Sequence, residues 1–552
     1  MPGSNDKRSS KVIATEEQDE GDTRIEESDD WNRPLASLRQ QQQVIRTPNP
    51  NDTGYSRQKA NGKLWVRERI DALLDNGSFV EVGSITGKPV IDQQTGALRG
   101  FTPGNIVTGW GKVQGRRVFV TADDFSVRGG HADGGIAGKA PLGEIRLLDG
   151  SSGGGSVATY LSLGATYIPQ LAGLGQSMDA MAIVPVASAL LGPVVGLASA
   201  KAVLSHFSVM VKGLSQLFAA GPPVVKQATF EDLSKEALGG WGIHARNGTV
   251  DNVCENEAEA FKQIKDFLSF LPSSRFQIPP LHKSADDPDR REEELISIIP
   301  RRRARPYDIR RLIALIVDVS SENQTSPSWF EIGESWGRCT VTGLARLNGH
   351  AVGVLSSDCT VGGGALDALG SQKFARFVKL CDQFNIPLLN LVDQPGFAIG
   401  SAAERAATIR HGAAAIAAIY SASVPIFTIV IRRAFGVAGG AFTDFTDGKG
   451  VRLAWPSGDW GSLPLEGGIE AAYRRQLDQA PNPAAREKLM RSLLQKFEDV
   501  RDPLKTAHRF GVEEIIDPRD TRRLACDWIS HVYERILPEL VARRYTPTKY
   551  KL

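Results

Sequence analysis

Apolar residues recur along this chain with two periods, and the switches between them mark out alternating helices and strands. Over residues 62–76, Leu64, Val66, Ile70, Leu73 and Leu74 share one side of a 3.6-residue repeat, which predicts an amphipathic helix stopped by Gly77. A strand begins at 79–82. Residues 107–120 alternate around Gln114-Gly115, which predicts a hairpin closed by a tight turn. Further on, short apolar strands alternate with helical patterns over 371–384 and 404–421, the order expected of βαβ units. From Gly468 the chain reads as helix-rich, apart from a strand signal at 513–517. The most apolar stretch, 181–200, is interrupted by Pro185, Gly192, Pro193 and Gly196. It predicts a buried, glycine-punctuated segment and not a membrane span.

The pattern repeats. Val107-Thr108-Gly109 through Val120 returns as Val341-Thr342-Gly343 through Val354, and each is preceded by a Phe-Glu strand start or its like. Leu147-Leu148-Asp149 returns as Leu391-Val392-Asp393, and Gly196-Leu197-Ala198 as Gly436-Val437-Ala438. These echoes keep their order at displacements of 234, 244 and 240 residues, which predicts a duplicated domain. The expected joint lies in the charged stretch 273–305, so the expected domains are 48–295 and 296–552. Residues 1–47 are polar and acid-rich, and predict a disordered tail.

Composition narrows the function. With 65 basic and 63 acidic residues, the net charge of +2 argues against nucleic acid as a partner. The five cysteines are scattered without CxxC spacing, so neither a disulfide framework nor a metal site is expected. The acidic start matches neither a mitochondrial presequence nor a secretory signal, so a cytoplasmic location is expected, with the mitochondrial matrix as the alternative.

Particular runs carry a resemblance. They include Gly192-Pro193-Val194-Val195-Gly196-Leu197-Ala198-Ser199, Gly221-Pro222-Pro223-Val224-Val225-Lys226, Val392-Asp393-Gln394-Pro395-Gly396-Phe397, Ile409-Arg410-His411-Gly412 and Leu453-Ala454-Trp455-Pro456. From about residue 60 onward the chain resembles the carboxyltransferase (β) subunits of biotin-dependent acyl-CoA carboxylases of the propionyl-, acetyl- and methylcrotonyl-CoA type. The resemblance implies an α/β fold of two tandem crotonase-like (ββα-superhelix) domains. It implies CO2 transfer from carboxybiotin to the α-carbon of an acyl-CoA, the acyl-CoA in the first half and biotin in the second. Dimers assembled into a hexamer follow from it. So do partner chains bearing the biotin carboxylase and the biotin carrier, because no Walker, ATP-grasp or Ala-Met-Lys-Met sequence is present here.

The chemistry needs those glycines. Carboxylation of a thioester passes through enolates, and each oxyanion needs backbone N–H donors in a dry, preorganised pocket. Glycine-opened turns entering helices supply them. By resemblance, Gly196 and Leu197 form the first-half hole and Val437 and Ala438 the second. Gly153, Gly154 and Gly155 line the acyl-CoA side, while Gly396, Phe397, Gly436 and Gly440 line the biotin side. A flexible loop at 153–155 and an ordinary type II turn at Gly396 are the alternative readings. The basic run Arg301-Arg302-Arg303 reads as a solvated face more readily than as a phosphate site. His244 reads as structural more readily than as a ligand contact, and for His411 a structural role stands beside a catalytic one.

Departures from the family pattern concentrate in the first half. The crossover at 134–145 is short and glycine-rich, Ser156 stands where an arginine is usual, and Leu197 and Val437 each follow the single glycine of their turn. Gly440 leaves room where the family has a larger side chain. Two rival functions share the fold: a biotin-independent CoA-thioester decarboxylase or hydrolase, and a non-catalytic scaffold.

Overall fold

The computed structural model describes residues 11–12, 30–131, 139, 143–151, 157, 160–161, 164–166, 168, 171, 173–319, 327–443 and 450–545. Two sheets of the same order dominate it. The first contains β1 (Val80–Val82), β2 (Ile106–Val113), β3 (Arg116–Asp123), β4 (Ile145–Ser151), β5 (Ala187–Val195), β6 (Phe207–Val211), β7 (Gln216–Phe218) and β8 (Asn252–Cys254). The second contains β9 (Phe330–Glu331), β10 (Thr340–Leu347), β11 (His350–Ser357), β12 (Leu388–Gln394), β13 (Ile426–Phe435), β14 (Gly450–Ala454), β15 (Asp459–Gly461) and β16 (Glu514–Ile515). The first runs β8-β6-β5-β4-β3-β2-β1 with β7 beside β5, and the second runs β16-β14-β13-β12-β11-β10-β9 with β15 beside β13. Strand for strand, the duplication predicted from the echoes is present.

Each half opens with the same device. The hairpins β2–β3 and β10–β11 turn on Gln114-Gly115 and Asn348-Gly349, with φ of 49° and 80° in one and 48° and 78° in the other. Two successive residues at positive φ match the twist of the strands they join. The two turn N–H groups donate to a single carboxylate in both cases: Asp75 at 2.8 and 2.8 Å, Asp318 at 2.9 and 2.7 Å. Those aspartates follow α2 (Val66–Leu73) and α4 (Ile309–Ile316), whose buried faces carry Val66, Ile70 and Leu73 and then Ile309, Leu312 and Ile316.

Three expectations are corrected. Residues 32–46 of the expected disordered tail form α1 (Asn32–Arg46): Ile45 is buried, Gln42 donates to Ser84 Oγ at 3.0 Å, and Arg46 pairs with Glu81 at 3.5 Å. Lys11–Val12 pairs with Phe101 and Gly100. The expected joint at 295 lies too late. One compact unit comprises the described residues up to His244 with Val253–Lys265, and the other comprises Ala245–Asn252 and the described residues from Asp266 onward. The charged stretch is not a spacer, because Arg290 reaches Asp286 and the carbonyls of Leu315 and Val317. Arg522, 0% exposed, bonds Asp287 O and Asp318. Leu295 and Ile299 lie in the core of the second unit. Third, the helix expected at 404–421 is broken: Ser401–Arg405 stops, Ala407 sits at φ 56°, and α6 (Thr408–Ser421) starts afresh.

The helix expected at 371–384 is α5 (Ala368–Gln383), crossing between β11 and β12. Most of the 134–145 crossing lies outside the described residues. The strands it joins pair in parallel all the same, Val120 with Ile145 and Ala122 with Leu147, so the shorter connection leaves the sheet order intact. Residues 181–200 are mainly β5, whose positions 187–192 are all buried. Among the described residues no helix is long and apolar enough to cross a membrane.

Candidate active site

In each half two parallel strands finish side by side, β4 with β5 and β12 with β13. The register slips at one rung in both pairs, between Leu148 and Gly150 and between Val392 and Gln394. The residue at the slip is Asp149 in one half and Asp393 in the other, both 0% exposed. A buried carboxylate needs compensation, and the halves supply it differently.

Asp149 is held by Lys63 Nζ at 2.9 Å from both oxygens and by Arg69 Nη1 at 2.8 Å. Arg69 continues to Glu257, so two cations and two carboxylates are buried together. Burial lowers the Lys63 pKa, with Asp149 working against that shift. A β-carbon at Gly192 would fall 1.9 Å from Asp149 Oδ1 and 2.3 Å from Lys63 Nζ, so this strand position must be glycine. In the second half the equivalent rung holds Arg432, which together with Arg433 grips Asp393 at 2.7 and 2.6 Å. The Tyr307 hydroxyl donates to the same carboxylate at 3.0 Å. Burial alone would raise the Asp393 pKa, and the guanidiniums of Arg433 and Arg432 hold it below the usual carboxylate range.

Beyond these anchors β5 and β13 turn into short helices through a glycine each. Gly196 (φ 64°) leads into α3 (Leu197–Val203), and Gly436 (φ 62°) opens α7 (Gly436–Thr443). That backbone region suits glycine and strains other residues. The first N–H groups of a helix have no partner within it, so both turns present donors at the ends of the parallel strands. The expectation for Gly196 needs correction: its N–H donates to Phe218 O at 3.2 Å, locking the turn to β7. The N–H groups that α3 leaves without a partner inside the helix are those of Leu197 and the residues just after it.

In the second half Ala438 is fully buried while Val437 is 69% exposed, so the bulky side chain points away from the core. Among the described residues, nothing lies within 4 Å of where a β-carbon on Gly440 would stand. It lines a cavity of about 190 Å³ with Val430, Ala434, Gly436, Thr443 and Trp460. Gly396 (φ 122°) lies beside this turn, a β-carbon there falling 3.9 Å from Phe435 O. Its N–H donates to Gln394 Oε1 at 2.9 Å and its carbonyl accepts from Leu366 at 3.0 Å. The Phe397 ring packs where a β-carbon on Gly412 would stand. The Gly396 N–H is thus already engaged, and the Phe397 ring is packed against α6.

Gly153, Gly154 and Gly155 lie outside the described residues. Asp123, at the end of β3, accepts from the Asp149 N–H at 3.1 Å, and burial pushes its pKa up to about 6. His244 Nε2 lies 2.7 Å from Leu217 O, and burial lowers its pKa. Arg303 pairs with Asp459, itself buried. The two aspartate clusters escaped sequence reasoning. Their signal was the recurrence of Asp149 as Asp393 at the end of the second echo.

Comparison with known proteins agrees with this architecture. Residues 57–541 match the Carboxyl transferase domain. The propionyl-CoA carboxylase carboxyltransferase subunit of Haloferax mediterranei is 34% identical over 489 residues, covering 85% of this chain and 90% of that protein. The propionyl-CoA carboxylase beta chain of Roseobacter denitrificans is 34% identical over 474 residues, covering 84% and 90%. Among solved structures, the transcarboxylase 12S hexamer with methylmalonyl-coenzyme A bound superposes with a TM-score of 0.76 at 29% identity, covering 93% of this chain and 97% of that one. The chain belongs to the carboxyl transferase domain family, with the tandem crotonase-like fold of the acyl-CoA carboxylase carboxyltransferases.

Proposed function

We propose that this enzyme transfers CO2 from carboxybiotin, carried by a partner chain, to the α-carbon of an acyl-CoA. The observation that carries the reading is the pair of glycine-opened helices, Gly196 into α3 and Gly436 into α7, at equivalent ends of duplicated parallel strands. The reaction has two oxyanions to stabilise, and the fold offers one set of backbone donors for each.

In this reading the α3 turn polarises the thioester carbonyl, and the Val437 and Ala438 N–H groups face the biotin ureido oxygen. Biotin supplies the carboxyl group and accepts the α-proton, so no side chain of this protein need act as the base. A small ring system suits the cavity beside Gly436: Val430, Ala434 and Trp460 give it apolar walls, and Gly440 keeps its mouth open. The buried Asp149 and Asp393 clusters hold the strand ends from which the donors project.

The test is Ala438→Pro. Proline removes one donor, keeps a small residue, and is tolerated in the first turn of a helix. The expected loss is about 10²–10³ in carboxylation rate, with acyl-CoA affinity within about twofold of the parent because that site lies in the other half. Ala438→Gly keeps the donor and serves as control. A Pro variant that melts with the parent and carboxylates at the parental rate overturns the assignment.

A further inference from the structure

We infer that Arg146 and Asn390 are positioning residues that hold α3 and α7 at their far ends and so aim the donors at their near ends. The inference rests on the oxyanion reading above and goes beyond it, because neither residue approaches a substrate.

The two residues occupy one place in the duplicated fold. Arg146 on β4 is paired with Ser188 of β5, and Asn390 on β12 with Thr428 of β13, two rungs before the register slip in each sheet. Both side chains are buried, Arg146 at 2% exposure and Asn390 at 3%. Arg146 Nη1 donates to the carbonyls of Lys201 at 2.7 Å and Leu204 at 2.6 Å, which close α3. Asn390 Nδ2 donates to the carbonyl of Phe442 at 2.8 Å, in the last turn of α7. Phe442 is the counterpart of Ala202, next to Lys201. A guanidinium and a carboxamide share little chemistry, yet each satisfies carbonyls that the end of a helix leaves unpaired.

A cap alone does not explain the arrangement, since water could serve at an exposed helix end. Here the donor comes from the strand that carries the aspartate anchor. Strand end, anchor and helix foot thereby form one rigid piece, and α3 and α7 are only 7 and 8 residues long. A helix of two turns that pivots at its foot displaces its head, and a shift of about 1 Å at a catalytic contact can cost on the order of 10²-fold in rate. The first-half tether is also cationic. No carboxylate pairs with Arg146 among the described contacts, and burial alone lowers its pKa to about 10. The second-half tether is neutral.

The test uses the full chain in its native assembly, with methylmalonyl-CoA as carboxyl donor and free biotin as acceptor. The products are propionyl-CoA and N-carboxybiotin, so no partner chain is needed. Asn390→Leu and Arg146→Met remove the donors. We expect kcat to fall about tenfold in each at parental melting temperature. For Asn390→Leu the KM for methylmalonyl-CoA stays within twofold, and for Arg146→Met the KM for biotin does. Arg146→Lys keeps the charge and one donor, and recovers to within about threefold of the parent. A merely structural role would scale kcat with the folded fraction and move neither KM. Should a variant not fold, Arg146→Gln and Asn390→Thr decide by the same criteria. Folded variants with parental kcat, alongside an Ala438→Pro variant that has lost activity, overturn this inference alone. Parental activity in Ala438→Pro overturns the oxyanion reading and this inference with it.

Discussion

Single residues in this protein show how burial sets chemistry. Lys373 lies in α5 at 2% exposure, its Nζ 2.9 Å from the carbonyls of Gly333 and Trp336, with no carboxylate in bonding range among the described residues. Burial lowers its pKa to about 8. Between that value and the ordinary lysine pKa the folded chain binds fewer protons than the unfolded one, so this group's contribution to stability rises with pH. Compared with Lys373→Met, the parent should gain up to roughly 3 kcal/mol between about pH 8 and pH 10.5, read from urea titrations at stepped pH. A parallel pH dependence of the two proteins would show that Lys373 does not titrate in that window. Residue identities of this kind were hard to read beforehand. Asp149 is bound by Lys63 from 86 positions away, and Arg69 meets Glu257 from 188 away, separations over which no periodicity extends. The glycines were legible, because Gly196 and Gly436 are required by local backbone geometry. That the Gly196 N–H would be taken by Phe218 was not, since β7 reaches it only through the sheet.

Elements were read best where a local rule governed them. The hairpins follow from alternation and two turn residues, and both are present residue for residue. Tertiary demands overrode local pattern in α6, which starts only after Ala407, and in α1, whose polar sequence hides one well-buried isoleucine. The hairpin turns yield a contrast to measure. A β-carbon at Gly115 would meet nothing within 4 Å, whereas one at Gly349 would fall 1.9 Å from His282 O. Gly115→Ala should therefore cost only the left-handed strain, about 1–2 kcal/mol. Gly349→Ala, facing a fixed backbone oxygen as well, should cost more than twice as much. Chemical denaturation of the two variants decides it, and equal costs would mean that the chain around His282 yields freely.

At the scale of the molecule the halves share sheet order, turn carboxylates, register slip and tethered helix. The second unit also exposes large apolar side chains: Ile399 at 91%, Phe510 at 76%, Ile409 at 72% and Val437 at 69%. Such residues call for cover, and further copies of the chain would provide it. Sedimentation velocity at micromolar concentration should show no stable monomer, and a folded monomer there would exclude that cover. The exchange of Gly192 for Arg432 has a meaning for the history of the chain. Compared letter by letter, glycine against arginine is among the worst mismatches the two strands offer. Around the aspartate it is a match, for one copy borrows its cations from distant chain and the other grows them on the strand itself. The ancestral unit has thus drifted while keeping two cations on each buried aspartate, and the copies have become parts that no longer interchange.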